Sequence, residues 1–308
     1  MGDALLERIG NTPLVELTRL SPKPGVRLFA KLEGHNPSGS VKDRVALALV
    51  DDAERRGALR PGQTIVEASS GNTGISLTMV ARRRGYDVRI VLPKEVAPSI
   101  GDALALFGAD CIWCPRCVGM DDAIRRAHEL SAKHGWYPLG QFEQAANVNA
   151  HYAGTGAELL RQLDRIDVFV AGIGTGGTVM GVGRRLREHN PDVRIVGIEP
   201  KLGDRLQGLR SLSEGFRPPL LDLDQLDGRI LVDNPSAIAA SQELARIEGI
   251  CAGISAGATL HAARKVAERM ERGNIVLMFS DGGWKYLPAR PWEAAHAGDE
   301  RLDDIHWW

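Results

Sequence analysis

The sequence predicts an α/β protein with mostly parallel sheets that are covered by helices. Short runs rich in Val, Ile, Leu and Phe alternate along the chain with longer segments of helical periodicity. Most of these short runs are too continuously apolar to keep one face in water, which is typical of parallel strands. The length of 308 residues exceeds that of most single domains, so we expect two domains that share an interface.

The predicted strands are residues 26–33, 64–68, 87–93, 110–114, 168–173, 194–200 and 274–279. Helical patterns lie between them, and those over residues 45–57 and 75–85 end at a glycine, which suits a helix C-cap. A third helical pattern covers residues 120–135. Residues 202–229 form the longest stretch without a regular pattern, and loops of that length in compact domains are often functional.

Composition and charge argue against several classes of protein. Apolar residues make up 44% of the chain and charged residues 25%, which is an ordinary globular balance. The net charge of -1 and the pI near 6.7 favour neither nucleic acid nor an anionic membrane as a partner. No run approaches the roughly 18 apolar residues of a membrane span, and no signal-peptide pattern opens the chain, so we expect a cytoplasmic protein.

A single lysine, Lys42, follows the Ser-Gly-Ser turn of the segment SGSVKDR and precedes an apolar helical run. Ser40 is expected to be the N-cap, with Asp43 at the capping-box position, so Lys42 falls in the first helical turn. The helix dipole and partial burial would there oppose the ammonium form and provide a reactive amine for Schiff-base chemistry. The alternative on these residues alone is a solvated lysine paired with a nearby acid.

A second loop leads from the predicted strand 64–68 into a helix. Its residues are Ser69, Ser70, Gly71, Asn72 and Thr73. Small hydroxyls, a permissive glycine and free backbone N–H groups at a helix start are typical of a carboxylate-binding site. The alternative is an ordinary strand-to-helix turn with a Ser or Asn cap.

A third loop, rich in glycine, follows the predicted strand 168–173. It contains Gly172, Gly174, Thr175, Gly176, Gly177 and Thr178. Glycines let the backbone approach an anion closely, and a phosphate held here must be bound by dipoles and hydroxyls because no Lys or Arg lies between Gly172 and Gly183. The loop also matches G-x-G-x-x-G, with Glu199 about 20 residues on, so a nicotinamide-dependent oxidoreductase is an alternative.

Five segments, taken together and in order, closely resemble the cysteine synthases. They are GNTPL (10–14), KLEGHNPSGSVKDR (31–44), SSGNTGISL (69–77), GIGTGGT (172–178) and GISAGA (253–258). These relatives are O-acetylserine sulfhydrylases, pyridoxal-phosphate enzymes of fold type II with the tryptophan-synthase-β-like fold. The resemblance implies two three-layer αβα domains, a larger one formed by residues 1–37 and 147–308 and a smaller, mobile one formed by residues 38–146.

The resemblance also implies how the cofactor, pyridoxal 5'-phosphate, is bound. Lys42 would form the Schiff base and later move the substrate α-proton, and Asn72 would hydrogen-bond the ring hydroxyl. Ser255 would face the pyridine nitrogen, and a helix-cap position for the same residue would not exclude that role. The phosphate would be held by Gly174, Thr175, Gly176, Gly177 and Thr178.

For the substrate, the resemblance implies that the α-carboxylate binds to Ser69, Ser70, Gly71 and Thr73. Gln141 and Phe142 would line the same pocket. The shorter B-type enzymes fit best, because residues 200–212 resemble their corresponding segment. Arg210, in that segment, would meet an acidic group such as the phosphate of phosphoserine, or else is a solvated loop arginine.

The implied activity is β-replacement on an O-activated L-serine, either O-acetylserine or O-phosphoserine, with sulfide or another sulfur donor, giving L-cysteine. Cystathionine synthesis and serine or threonine deamination are alternatives, since they share the cofactor machinery. A binding module that holds a partner's C-terminal peptide is a further alternative. We expect small-molecule substrates, a homodimer, and neither a nucleic acid nor a membrane partner.

The cysteines of the segment DCIWCPRC (110–117) depart from the family pattern, as do Ser69, where the family commonly has Thr, and residues 96–108, where relatives usually carry an arginine-bearing helix start; the end of the chain carries a separate prediction. Cys111, Cys114 and Cys117 fit a redox or metal site by spacing, but no fourth ligand is evident, so a structural role is favoured and we expect no bound metal. The chain ends in Trp307 and Trp308, which we expect to dock near the active-site mouth or in crystal or dimer packing.

Overall fold

A computed structural model describes residues 3–94, 96, 98–117, 119–204, 206, 208–212, 217–289 and 293. Two sheets organise this part of the chain: a six-stranded sheet in the order β1-β2-β10-β7-β8-β9 and a four-stranded sheet in the order β5-β4-β3-β6. The larger sheet contains β1 (Leu14–Glu16), β2 (Val26–Leu32), β7 (Val168–Gly172), β8 (Arg194–Pro200), β9 (Gly228–Val232) and β10 (Gly273–Phe279). The smaller contains β3 (Thr64–Ala68), β4 (Asp87–Pro93), β5 (Asp110–Cys114) and β6 (Tyr137–Pro138).

Helices connect the successive strands, except that no α-helix is described between β1 and β2 or between β8 and β9. They are α1 (Lys42–Arg55), α2 (Asn72–Arg83), α3 (Pro98–Phe107), α4 (Met120–His134), α5 (Ala145–Ala150), α6 (Ala157–Gln162), α7 (Gly177–His189), α8 (Asn234–Glu243) and α9 (Ile254–Glu268). Neighbouring strands pair in parallel throughout both described sheets, except that β1 runs antiparallel to β2. None of the described helices has the length and apolar character needed to cross a membrane.

Both faces of each sheet carry a hydrophobic core, which produces the three layers. In β10, Ile275 and Leu277 pack in the cluster that contains residues of α8 and α9, whereas Val276 and Met278 pack in the cluster that contains residues of α7. The smaller sheet is arranged alike, with one core against α1 and α2 and another against α4. The predicted fold class, two three-layer αβα units with mostly parallel sheets, is confirmed.

The predicted strands agree with the observed ones to within one residue at either end. The two glycines predicted after α1 and α2, Gly57 and Gly85, follow the C-cap residues and adopt positive φ angles of 67° and 82°. Three short strands, β1, β6 and β9, were not predicted. The patternless stretch 202–229 proves to lead into β9, which forms an edge of the larger sheet.

Candidate active site

A single cavity brings together residues that are far apart in the chain. It is lined by the segments that follow β3, β7 and β10 and by the start of α1. All the predicted site residues except Gly177 line it: Lys42, Ser69, Ser70, Gly71, Asn72, Thr73, Gln141, Phe142, Gly174, Thr175, Gly176, Thr178, Arg210 and Ser255. The carboxyl ends of parallel strands are the usual location of a ligand site in an open α/β sheet.

Lys42 is the first residue of α1. Burial lowers the pKa of its amine to about 8, and the negative charge of Asp281 acts in the opposite direction. A neutral amine is therefore accessible near neutral pH, which nucleophilic or proton-transfer chemistry requires.

The predicted capping box before Lys42 is wrong. The N-cap residue of α1 is Val41, and it makes no side-chain capping bond. The Asp43 carboxylate accepts hydrogen bonds from the backbone N–H and hydroxyl of Ser38 and from the Ser76 hydroxyl of α2, at 2.6 Å for Ser76. The Ser40 hydroxyl instead accepts a long hydrogen bond, at 3.3 Å, from the Lys42 backbone N–H. Asp43 thus ties the turn to α2.

Two residues beyond Lys42, a buried ion cluster anchors α1 to the larger sheet. The Arg44 guanidinium donates to Glu33 at 2.7 Å and to Glu158 at 2.6 Å, and Lys31 donates to Glu158 at 2.7 Å. All four side chains are buried. Burial alone would raise the pKa of Glu158, but Arg44 and Lys31 outweigh it and lower that pKa to about 2.

The loop before α2 is shaped by its own hydroxyl groups. The Ser69 hydroxyl accepts hydrogen bonds from the backbone N–H groups of Gly74 at 2.8 Å and Gly71 at 3.3 Å. The Thr73 hydroxyl donates to the side-chain oxygen of Gln141 at 2.7 Å. The loop and the predicted substrate glutamine therefore form one hydrogen-bonded unit beside Lys42.

Behind Gln141 lies a carboxyl group that sequence reasoning missed. Glu67, in β3, is buried and accepts a hydrogen bond from the backbone N–H of Gly140 at 2.8 Å. Burial raises the pKa of Glu67 to about 7. Its position in an apolar strand was the only available signal, since a charged residue in a buried strand needs a partner.

The glycine-rich loop leads into α7, which begins at Gly177. A Cβ on Gly174 would lie 2.6 Å from the Gly208 carbonyl oxygen, and one on Gly177 would lie 2.0 Å from Asn147 Oδ1. Gly177 therefore packs behind the cavity wall. The first-turn N–H groups of α7, its dipole and the hydroxyls of Thr175 and Thr178 are donors suited to a phosphate.

Ser255 lies in the first turn of α9, is buried and lines the cavity. It is not a helix cap, because the N-cap position is Gly253. Its uncharged hydroxyl can hydrogen-bond a ring nitrogen of a cofactor without requiring that nitrogen to be protonated.

Arg210 and Phe142 lie together at the cavity. The Arg210 guanidinium carbon is 4.9 Å from the centre of the Phe142 ring, and Arg210 Nη1 is 4.0 Å from Asp121 Oδ1 at the start of α4. Arg210 therefore bridges the segment 208–212 and the helix that follows β5. Among the residues that line the cavity, it supplies a second cation besides Lys42.

Glu199, the acid that a nicotinamide-dependent oxidoreductase would use to bind ribose, is hydrogen-bonded to residues outside the cavity. Glu199, at the end of β8, accepts hydrogen bonds from the Leu212 backbone N–H at 2.8 Å and from Arg229 at 3.0 Å. It is not among the described residues that line the cavity. The G-x-G-x-x-G match therefore reflects an anion-binding loop without a ribose-binding acid beside it.

The structure describes the cysteines, but it does not describe the C-terminal residues Trp307 and Trp308. Cys114 and Cys117 form a disulfide, whereas Cys111 and Cys251 are free thiols. Within the described ranges, no group of three or more His, Cys, Asp or Glu side chains is arranged to hold a metal ion. The prediction for Trp307 and Trp308 falls outside the described residues.

A half-buried lysine between a phosphate-type helix start and a carboxylate-type loop, in a fold of two three-layer αβα units, is the arrangement expected of a pyridoxal-phosphate-dependent enzyme. The pyridoxal-phosphate dependent enzyme family matches residues 5–281 of the chain. The donor set described above fits this cofactor.

Comparison with individual proteins identifies the branch of this family to which the chain is similar. A cysteine synthase of Staphylococcus aureus is 40% identical over 295 residues, which cover 92% of this chain and 95% of that protein. The crystal structure of O-ureido-L-serine synthase superposes with a TM-score of 0.90 at 38% identity, covering 97% of each chain. The crystal structure of a cysteine synthase from Entamoeba histolytica superposes with a TM-score of 0.87 at 32% identity, covering 98% of this chain and 95% of that one. The chain therefore belongs to the pyridoxal-phosphate-dependent enzymes, on their cysteine synthase branch.

These findings confirm the resemblance, the predicted cofactor and the enzyme class. They do not test the role of any single side chain, so the assignments of Lys42, Asn72, Ser255 and the substrate loop stay predictions.

Proposed function

We propose that this protein makes L-cysteine by β-replacement on an O-activated L-serine, with sulfide or another sulfur donor as the second substrate. The observation that carries the proposal is Lys42, whose amine has a pKa of about 8 and lies in one cavity with a phosphate-type and a carboxylate-type loop. Pyridoxal phosphate, when bound, supplies a ring that stabilises negative charge at the substrate α-carbon.

Each loop has a separate task in this reaction. The start of α7, with Thr175 and Thr178, holds the cofactor phosphate, and Ser255 faces the ring nitrogen. Because a serine hydroxyl stays neutral, it leaves the ring a weaker electron sink than an aspartate would, which suits loss of a β-substituent. Asn72 hydrogen-bonds the ring oxygen.

The loop 69–73 binds the substrate carboxylate and so orients the α-proton toward Lys42. Its backbone N–H groups lie at the start of α2, where the helix dipole favours an anion. The hydrogen bond from Thr73 to Gln141 holds the loop and the pocket wall together at 2.7 Å. Lys42 then removes the α-proton as its neutral amine, and water is excluded while the β-substituent departs.

Arg210 favours a substrate with an acidic leaving group. Its guanidinium lines the cavity and is held between the Phe142 ring and Asp121. A phosphate on the substrate would offer it a stronger, bidentate partner than a carboxylate 4.0 Å away. We therefore propose O-phosphoserine as the preferred substrate and O-acetylserine as the weaker one.

A substrate panel tests the proposal. The cofactor-loaded protein is supplied with O-phosphoserine, O-acetylserine or free serine, each with sulfide, homocysteine or hydroxyurea, and the products are identified by mass spectrometry. We expect cysteine from the two esters when sulfide is the second substrate. Hydroxyurea is included because its product would be O-ureido-L-serine, the compound named by the structural neighbour.

Two variants accompany the panel. Lys42→Ala should lose the visible absorbance of the lysine-bound cofactor together with turnover. Arg210→Gln should raise KM for O-phosphoserine by about tenfold or more, with little change for O-acetylserine, because loss of a charge-assisted bond is worth about 1.5–3 kcal/mol. Turnover of free serine with no turnover of either ester would contradict the proposal and favour cystathionine synthesis or deamination.

We further propose that the active form is a cytoplasmic homodimer in which residues 38–146 move as a small domain relative to residues 1–37 and 147–308. The division is supported by the sheets, because β3 to β6 form one and the remaining described strands form the other. Light scattering coupled to gel filtration gives the mass in solution. A mass near 33 kDa, that of one chain, would contradict the dimer.

A further inference from the structure

Asn72 is held by two charged side chains that no sequence motif indicated. Lys285 Nζ donates a hydrogen bond to Asn72 Oδ1 at 2.6 Å, and Asn72 Nδ2 donates to Asp281 Oδ2 at 2.7 Å. The Tyr286 hydroxyl donates to the same Asp281 oxygen at 2.5 Å. Asp281 is 3% exposed and lines the cavity together with Asn72.

The chemistry of these partners fixes which way the amide points. A lysine ammonium has only donors, and an ionised carboxylate has only acceptors. A flipped Asn72 would set its N–H group against the ammonium and its oxygen against the carboxylate, losing both bonds. The oxygen of Asn72 therefore accepts from Lys285, and the nitrogen, which donates to Asp281 and lies in a hydrogen-bonded group with the Tyr286 hydroxyl, is the atom through which this amide can donate to a ligand in the cavity.

The partners come from elements that belong to different sheets. Asn72 begins α2, which packs against the four-stranded sheet, whereas Asp281 and Lys285 follow β10 of the six-stranded sheet. The same segment after β10 also contacts the residue before Lys42, because Val41 donates its backbone N–H to the Ser280 carbonyl at 2.8 Å. One short segment of the larger sheet thus fixes two elements of the cavity wall.

Lys285 also brings a positive charge close to this amide. Burial lowers the pKa of Lys285, and the negative charges of Asp281 and Asp43 act in the opposite direction. A cation on the oxygen side of the amide polarises it and makes the N–H group a stronger donor.

We propose that Lys285 and Asp281 are positioning residues that orient and polarise Asn72, so that its N–H group binds the ring oxygen of pyridoxal phosphate and favours the ionised form of that oxygen. The inference rests on the proposed role of Asn72 at the cofactor. Neither charged residue needs to touch the cofactor itself for this effect.

The test measures the cofactor directly, without any substrate. Pyridoxal phosphate is titrated into wild type, Lys285→Met, Lys285→Arg, Asn72→Ala and the double variant Asn72→Ala/Lys285→Met, and the visible spectrum and dissociation constant are recorded from pH 6 to 10. We expect Lys285→Met to weaken binding about tenfold, consistent with loss of a charge-assisted hydrogen bond, and to shift the pH dependence of the visible band. Lys285→Arg, which keeps a charged donor, should restore both readouts most of the way.

The double variant separates a positioning role from a merely structural one. If Lys285 acts through Asn72, adding Lys285→Met to Asn72→Ala should change the spectrum and affinity little further. Additive effects, or a Lys285→Met spectrum identical to that of wild type, would overturn the inference. Lys201→Met is the matched control, because Lys201 donates to Asp233 at 2.6 Å on the exposed surface and should leave both readouts unchanged.

The outcomes for the two proposals are distinguishable. A wild type that forms no visible complex with pyridoxal phosphate would contradict the role of the site as a whole. A wild type that binds normally while Lys285→Met has no effect would contradict the positioning role alone. If Lys285→Met does not fold, Lys285→Arg decides, since a spectrum like that of Asn72→Ala would overturn the inference.

Discussion

The buried ion cluster beside Lys42 gives a prediction whose size follows from the structure. Glu158 accepts hydrogen bonds from Arg44 and Lys31, and its pKa falls from 4.5 to about 2. At about 1.4 kcal/mol per pKa unit this shift corresponds to about 3 kcal/mol. Leaving Arg44 and Lys31 buried without their shared carboxylate has typically cost about 3–5 kcal/mol in other proteins.

We therefore expect Glu158→Gln to destabilise the protein by about 2–4 kcal/mol at pH 7. Since about 1 kcal/mol shifts Tm by about 2 °C in a chain of this size, circular dichroism should show Tm lowered by about 4–8 °C. Glu129→Gln is the control, because its ion pair with Arg126 is exposed and should contribute less than about 1 kcal/mol.

The direction of the pKa shift determines how the stability contribution of Glu158 changes with pH. The pKa of Glu158 is lower in the folded than in the unfolded protein, so its contribution is complete above about pH 4.5 and is lost as the pH falls toward 2. The difference in Tm between wild type and Glu158→Gln should thus be constant from about pH 5.5 to 7 and shrink below about 4.5. A difference under about 1 °C at pH 7, or one that grows on acidification, would refute the reasoning.

Three further predictions concern the site and its surroundings. Labelling of Lys42 by an amine reagent in cofactor-free protein should rise with an apparent pKa of about 8; one near 10 would contradict burial as the cause. Gly177→Ala should weaken cofactor binding about tenfold or more, because its Cβ would lie 2.0 Å from a buried amide oxygen, whereas Gly228→Ala, with open space around it, should not. Unreduced, denatured protein should show two titratable thiols and reduced protein four, because Cys114 and Cys117 are paired; four before reduction would contradict the disulfide.

Strands buried on both faces were predictable because such strands read as continuous apolar runs. The strands that were missed lie at the edges of the sheets or are very short. In β9 the burial alternates, and Leu231 is 42% exposed, so its five residues lack the continuous pattern. β6 has only two residues and pairs with β3 at one edge, which leaves no periodicity to detect.

The site loops were predictable because each follows a strand and begins a helix, and parallel strands bring their carboxyl ends to one edge. The local capping prediction failed for a tertiary reason. Asp43 had a suitable spacing from Ser40, but its carboxylate is used by Ser38 and by Ser76, 33 residues along the chain. Asn72 and Asp281 are 209 residues apart, and no local pattern indicates such a pair.

The main cause of the lowered pKa of Lys42 also differs from the one predicted from the sequence. The sequence suggested the positive end of the helix as a main reason for a lowered pKa, with burial as a second. In the structure burial is the larger cause, and Asp281 opposes it. Because a burial effect depends on excluding water, each contact that holds the cavity wall together favours the neutral amine of Lys42. Asp281 then has two effects of opposite kind: it stabilises the ammonium form of Lys42, and it orients Asn72 through a 2.7 Å hydrogen bond.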